Sequence, residues 1–215
     1  MGITHPQVRS AADPALSLSP APDEDACQYL RQHGLDPAGR YICFSVRPWK
    51  DFDRFEAFSQ AADYAREKYG LETVFMPIED PTDVEPSRRA AAGMKHESHL
   101  LPAPDRVELT MAVLRRMKLM CAMRLHALVF SAAADTPFLA VSYDIKVKSF
   151  MDYVENPSCC ELGEVTADWL CGEIDRIMAD PGAYRSRSAR LRTLEAENTR
   201  AAREMLGEAL CGKEG

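Results

Sequence analysis

Short apolar runs alternate along this chain with longer stretches whose apolar positions recur at helical spacing. Tyr41–Val46 is the first convincing strand: it is apolar and rich in β-formers, and it ends at Arg47, before a proline that cannot continue a ladder. Glu72–Pro77 reads as a second strand, His99–Leu101 as a short third, Leu119–Cys121 as a fourth, Phe138–Val141 as a fifth and Cys159–Leu162 as a small sixth. Helices fill the intervals. Asp23–His33 opens on acidic residues and closes at Gly34. The next is capped by Asp51 or Asp53, runs through Tyr69 and stops at Gly70. Asp80-Pro81-Thr82-Asp83 forms a turn and cap before a helix over Val84–Met94. Arg106–Lys118 carries the stripe Val107, Met111, Leu114 and Met117, and Leu125–Ala134 is apolar on nearly all sides. Thr166–Met178 and a long, densely charged Pro181–Leu210 complete the set. Residues 1–22, rich in Ala, Pro and Ser, show no periodicity and read as a loose lead-in. Strands alternating with helices predict an α/β fold, a Rossmann-like doubly wound parallel sheet.

In such a sheet, the C-terminal ends of the strands and the helix starts that follow them form the ligand crevice. Helix starts also present free N–H groups and a positive dipole end, which suit anions. The stretch from Lys118 to Lys148 delivers Arg124, His126 and Lys146 to that rim, and Arg47 ends a strand at the same edge. A guanidinium, an imidazole and an ammonium converging there describe an anion site with a proton-transfer group beside it.

The residues carry a resemblance. The run Met123-Arg124-Leu125-His126-Ala127-Leu128, followed by Val141-Ser142-Tyr143-Asp144-Ile145-Lys146-Val147, resembles the polysaccharide pyruvyl transferase family, particularly its bacterial cell-wall branch. Upstream, Ser45-Val46-Arg47-Pro48-Trp49 is similar to that family's S-x-R-P-W strand end, and Phe75-Met76-Pro77-Ile78 to its next strand. The similarity extends over roughly residues 11–205. Ala122 stands where a Gly commonly precedes M-R-L-H, and Ile145 where Pro is usual.

The resemblance implies the C-terminal domain of a GT-B-type two-domain transferase. Residues 1–22 would be an interdomain segment, 23–180 a donor-binding domain and 181–215 a C-terminal helix. The implied reaction moves the pyruvyl unit of phosphoenolpyruvate to two hydroxyls of a sugar in a cell-wall or exopolysaccharide precursor, forming a cyclic ketal and releasing phosphate. Phosphoenolpyruvate is a substrate, and no cofactor is expected. His126 is expected as general acid/base and Lys146 as the group that neutralises the donor or assists phosphate departure. Arg124 and Arg47 would hold phosphate or carboxylate, with Leu125 in the same binding motif. Trp49 would stack on a sugar or hold its loop; Ser142, Tyr143 and Asp144 would contact the acceptor or orient Lys146, unless Asp144 is simply an N-cap. Family members carry an additional N-terminal Rossmann-like domain, so an N-terminal-domain partner or a homo-oligomer is expected. The alternatives are a nucleotide-sugar glycosyltransferase of the same architecture and a non-catalytic donor-binding fragment.

Composition narrows the remainder. A net charge of −7 argues against general nucleic-acid binding, so any cationic site must be local. Seven cysteines without a C-x-x-C pair, mostly within apolar runs, suggest reduced, buried thiols, Cys159-Cys160 included. His96 and His99 lack a third convincing ligand, so no metal is expected. G-x-G-x-x-G and G-x-x-x-x-G-K are both absent. With no visible signal peptide or membrane-length apolar run, the expected location is the cytoplasm, with the inner membrane face as an alternative.

Overall fold

A computed structural model describes residues 13–211. Its strands are β1 (Tyr41–Ser45), β2 (Glu72–Phe75), β3 (Ser98–Leu100), β4 (Met117–Ala122), β5 (Phe138–Ser142) and β6 (Cys159–Glu161). All pairings are parallel, in the order β3-β2-β1-β4-β5-β6. This is the doubly wound, Rossmann-like arrangement, whose strand order reverses between β1 and β4. The helices are α1 (Asp23–Gln32), α2 (Phe55–Tyr69), α3 (Val84–Ala92), α4 (Val107–Arg115), α5 (Leu125–Ala133), α6 (Ile145–Tyr153), α7 (Ala167–Ala179) and α8 (Pro181–Cys211).

The central strands are apolar at nearly every position because both faces are covered. Ile42, Phe44, Leu119, Cys121, Leu139 and Val141 turn to one face, against Phe58 and Ala62 of α2 and Leu170 and Ile174 of α7. Tyr41, Cys43, Met120, Ala122 and Ala140 turn to the other, against Leu30 of α1, Met111 and Leu114 of α4, Leu128 of α5 and Leu191 of α8. Adjacent residues therefore serve separate cores. In β6 this divides Cys159 from Cys160: the first packs on one core, the second on the other. Burial raises both thiols, to about 11 and about 12 respectively, so they are protonated at neutral pH.

Three local expectations need correction. Neither Asp51 nor Asp53 caps α2 through its side chain; the N-cap position falls on Arg54, and Asp53 contributes only its carbonyl, to the Phe55 N–H at 2.8 Å. Gly70 does stop that helix, in the left-handed conformation (φ 63°). Asp83 occupies the N-cap position of α3 but makes no side-chain cap bond, because its carboxylate is engaged elsewhere. Finally, the lead-in is packed from residue 13 onward. Asp13 caps a short 3-10 helix, Pro14–Ser17, whose Leu16 is buried in the core, and Ala21 donates its N–H to the Glu108 carbonyl at 2.8 Å. The pattern missed this because a four-residue helix is too short to show a period. The lead-in's first part, residues 1–12, lies outside the described residues. No helix among the described residues is long and apolar enough to cross a membrane.

Candidate functional site

Because the strands are parallel, the segments following β1, β2, β4 and β5 all emerge at one edge. The Met123 N–H donates to the Ser45 carbonyl at 2.9 Å, which fixes the exits of β1 and β4 side by side. Two arginines leave there and cross in opposite directions. Arg47, after β1, reaches over β4 to the segment after β5: its Nη1 donates to the Tyr143 hydroxyl at 2.7 Å, and its guanidinium lies 4.6 Å from the Tyr143 ring centroid. Arg124, after β4, reaches over β1 to the segment after β2. Its Nε donates to Asp83 Oδ2 at 2.8 Å and its Nη2 to Asp83 Oδ1 at 2.5 Å, while Nη1 pairs with Glu79 Oε2 at 2.5 Å.

Arg47 sits in an aromatic setting. Trp49 and Tyr143 rings are 4.5 Å apart, and the guanidinium also lies 5.3 Å from the Trp49 ring. Lys146 Nζ stands 5.9 Å from the Tyr143 ring and Lys50 Nζ 5.6 Å from the Trp49 ring. Tyr143 is thus the hinge of the cluster, and it is within electrostatic reach of Arg124 as well. The structure brings Arg47, Trp49 and Lys146 together around it. Such rings hold cations in place without neutralising them.

Arg124 is placed differently from the open anion receptor expected of it. Its side chain is only 11% exposed, and the Asp83 side chain is fully buried. Burial works against its charge, but the hydrogen bonds and charge of Asp83, with Glu79 behind them, outweigh that and hold the guanidinium firmly ionised. The fork that would clamp an oxyanion already clamps a carboxylate. The Nη1 edge faces Glu79, whose side chain is more than half exposed.

His126 lies two residues further, at the second position of α5. The His126 side chain is 60% exposed, with Nε2 4.0 Å from Asp13 Oδ2 and its ring 5.7 Å from that of Phe130. It is therefore no core histidine. Leu125 is half-buried and packs on the core, so its binding contribution would come from its backbone. Arg124, at the N-cap position of α5, makes no side-chain cap bond to it. Ser142 is buried and donates its hydroxyl to the Asp144 carbonyl at 3.2 Å, shaping the turn into α6.

Asp144 is an N-cap: its carboxylate accepts the Lys146 N–H at 2.9 Å, which orients Lys146 at the first turn of α6. Asp144→Ala is expected to lower stability by about 1 kcal/mol, seen as a small fall in Tm by thermal denaturation. An unchanged Tm would show the cap to be idle.

His96 and His99 each face a carboxylate of their own, Glu67 at 3.2 Å and Glu72 at 3.7 Å. Among the described residues no group of three or more His, Cys, Asp or Glu side chains is arranged to hold a metal ion. Sequence reasoning missed Asp83 and Glu79 as partners of Arg124. Only the acidic turn Asp80–Asp83 signalled Asp83, and it read as a cap; Glu79 stood just before it.

Solved structures resemble the fold at low sequence identity. The family 9 glycosyl transferase from Veillonella parvula matches with a TM-score of 0.57 at 14% identity, covering 76% of this chain and 53% of its own. UDP-GlcNAc 2-epimerase from Neisseria meningitidis, solved with UDP-GlcNAc, gives 0.58 at 9% identity over 84% of this chain and 48% of its own. The α,α-trehalose-6-phosphate synthase from Burkholderia multivorans gives 0.51 at 15% identity over 90% and 49%. The chain thus spans about half the length of these structures, and they show its fold to be of the GT-B Rossmann-like kind. No curated protein matches it in sequence. A family model for polysaccharide pyruvyl transferases matches residues 1–145, which takes in Arg47, Arg124, His126, Tyr143 and the acidic turn and stops just before Lys146. On that match, over two-thirds of its length, the chain belongs to the polysaccharide pyruvyl transferase family.

Proposed function

We propose that this edge of the sheet binds phosphoenolpyruvate and serves transfer of its pyruvyl group, as a ketal, to a sugar of a cell-wall or exopolysaccharide precursor. The observation that supports this most is the crossing of two arginines at the strand-order reversal, with Lys146 and the start of α5, where the N-cap Arg124 makes no side-chain cap bond, beside them. A small donor carrying both phosphate and carboxylate needs several cations on one rim.

Arg47 and Lys146, held around Tyr143, take one anionic group of the donor. Arg124 takes part through its Nη1 edge, with Asp83 fixing the rest of its fork. The N–H groups of the first turn of α5 donate to the donor's remaining oxyanion oxygens. His126, exposed beside that turn, delivers a proton to the enol methylene as the C2 carbon becomes electrophilic toward the sugar hydroxyl. That hydroxyl adds to C2 and the second hydroxyl then displaces phosphate, leaving the cyclic ketal; the hydroxyl protons pass to a base or to water. Trp49, partly covered by Arg47, Lys50 and Tyr143, has its remaining surface for a sugar face.

The test is a 31P titration of phosphoenolpyruvate against wild type, Arg47→Ala and Arg124→Ala. Each substitution is expected to weaken binding by about tenfold, the worth of one charge-assisted hydrogen bond. Unchanged binding in both variants would remove the donor from this edge.

A further inference from the structure

We infer that Glu79 is an internal competitor for the anion: its carboxylate occupies the Nη1 edge of Arg124 that substrate must take, and so it sets the affinity and anion selectivity of the site. This rests on the anion-binding reading of this edge given above. The two carboxylates on Arg124 are not equivalent. Asp83 is fully buried, accepts both Nε and Nη2, and also accepts the Glu79 N–H at 3.1 Å. Displacing it would strand a buried charge and break a backbone hydrogen bond together. Glu79 has a 57% exposed side chain, and besides Arg124 its carboxylate receives only a long 3.4 Å contact from the Thr82 hydroxyl among the described residues. It can swing into water at little cost.

Charge counting gives the consequence. With both carboxylates seated, the Arg124 cluster carries one net negative charge and repels an incoming anion. With Glu79 withdrawn it is neutral and presents free N–H donors. Asp83 is then the positioning residue that aims Arg124, and Glu79 the group that substrate exchanges for itself. A ligand must offer an oxyanion able to outcompete a carboxylate on one N–H edge. A phosphate dianion does so, and a singly charged carboxylate alone does not.

The experiment is calorimetric titration of inorganic phosphate, acetate and phosphoenolpyruvate into wild type, Glu79→Gln, Arg124→Ala and the double variant. Glutamine keeps the length of the side chain and removes its charge. Glu79→Gln is expected to tighten phosphate and phosphoenolpyruvate by about three- to tenfold and to narrow the gap between phosphate and acetate. In the Arg124→Ala background the same change is expected to have no effect. A merely structural Glu79 would leave affinity unchanged or reduced. If phosphoenolpyruvate binding depends on Arg124 yet Glu79→Gln does not tighten it, the inference fails and the pyruvyl-transfer reading stands. If Glu79→Gln tightens phosphate while phosphoenolpyruvate shows no preference over it, the inference stands and the donor assignment fails. No saturable phosphate binding even in Glu79→Gln overturns the inference.

Discussion

Asp83→Ala is expected to destabilise the protein by about 3–5 kcal/mol, the usual result of removing one partner from a buried ion pair. The loss has two sources. Arg124, only 11% exposed, keeps its charge but loses the acceptor for two sides of its fork. The Glu79 N–H loses its carboxylate acceptor as well, so the acidic turn after β2 loosens. At about 2–4 °C per kcal/mol for a chain of this size, Tm should fall by roughly 6–20 °C. Thermal denaturation followed by circular dichroism reads this directly. The double variant Asp83→Ala/Arg124→Met should recover part of the loss, because it removes the stranded charge and refills its volume. A fall in Tm no larger than that of a surface substitution would mean that the pair is not buried as described.

His126→Ala is expected to do the reverse: little to stability, much to chemistry. The side chain is 60% exposed and, among the described residues, makes no close hydrogen bond, the nearest carboxylate lying 4.0 Å away. Truncation should therefore change stability by no more than about 0.5 kcal/mol. If His126 protonates the enol methylene, its loss should slow deuterium exchange into C3 of phosphoenolpyruvate in D2O by about 10²- to 10⁴-fold. Proton NMR of the methylene signals measures that rate, and saturating donor separates it from binding. Equal exchange rates in wild type and variant would assign the proton to another group.

Much of the fold was legible in the chain because a doubly wound sheet writes itself plainly. The strands are apolar runs, since both faces are buried, and the helices between them show stripes and glycine stops such as Gly70. What the chain did not reveal was the spatial order of the strands, and with it which loops meet. Arg124 and Asp83 are 41 positions apart, and only the placement of β1 between β4 and β2 lets them pair. Before that, Asp83 reads as a helix cap because it stands where caps stand. The aspartates before α2 fail for a related reason: an acidic residue near a helix start is a permission, not a bond. Asp144 met the same rule and does cap its helix.

The cationic rim was legible as residue types at strand ends, and its internal wiring was not. Arg47, Arg124 and Lys146 do belong to one edge, as the alternation of strands and helices requires. Tyr143 was legible as a neighbour of Lys146, but the hydrogen bond it receives from Arg47 depends on the strand order. Glu79 was not singled out because its pairing with Arg124, like that of Asp83, depends on the strand order.

The most direct test of the account is a paired calorimetric titration of the wild-type chain with phosphoenolpyruvate and, separately, with UDP. The account predicts saturable binding of phosphoenolpyruvate and none of UDP, because the rim offers several cations for a small dianion and no glycine-rich loop for a diphosphate. Binding of UDP without phosphoenolpyruvate would contradict it and make the site that of a nucleotide-sugar enzyme.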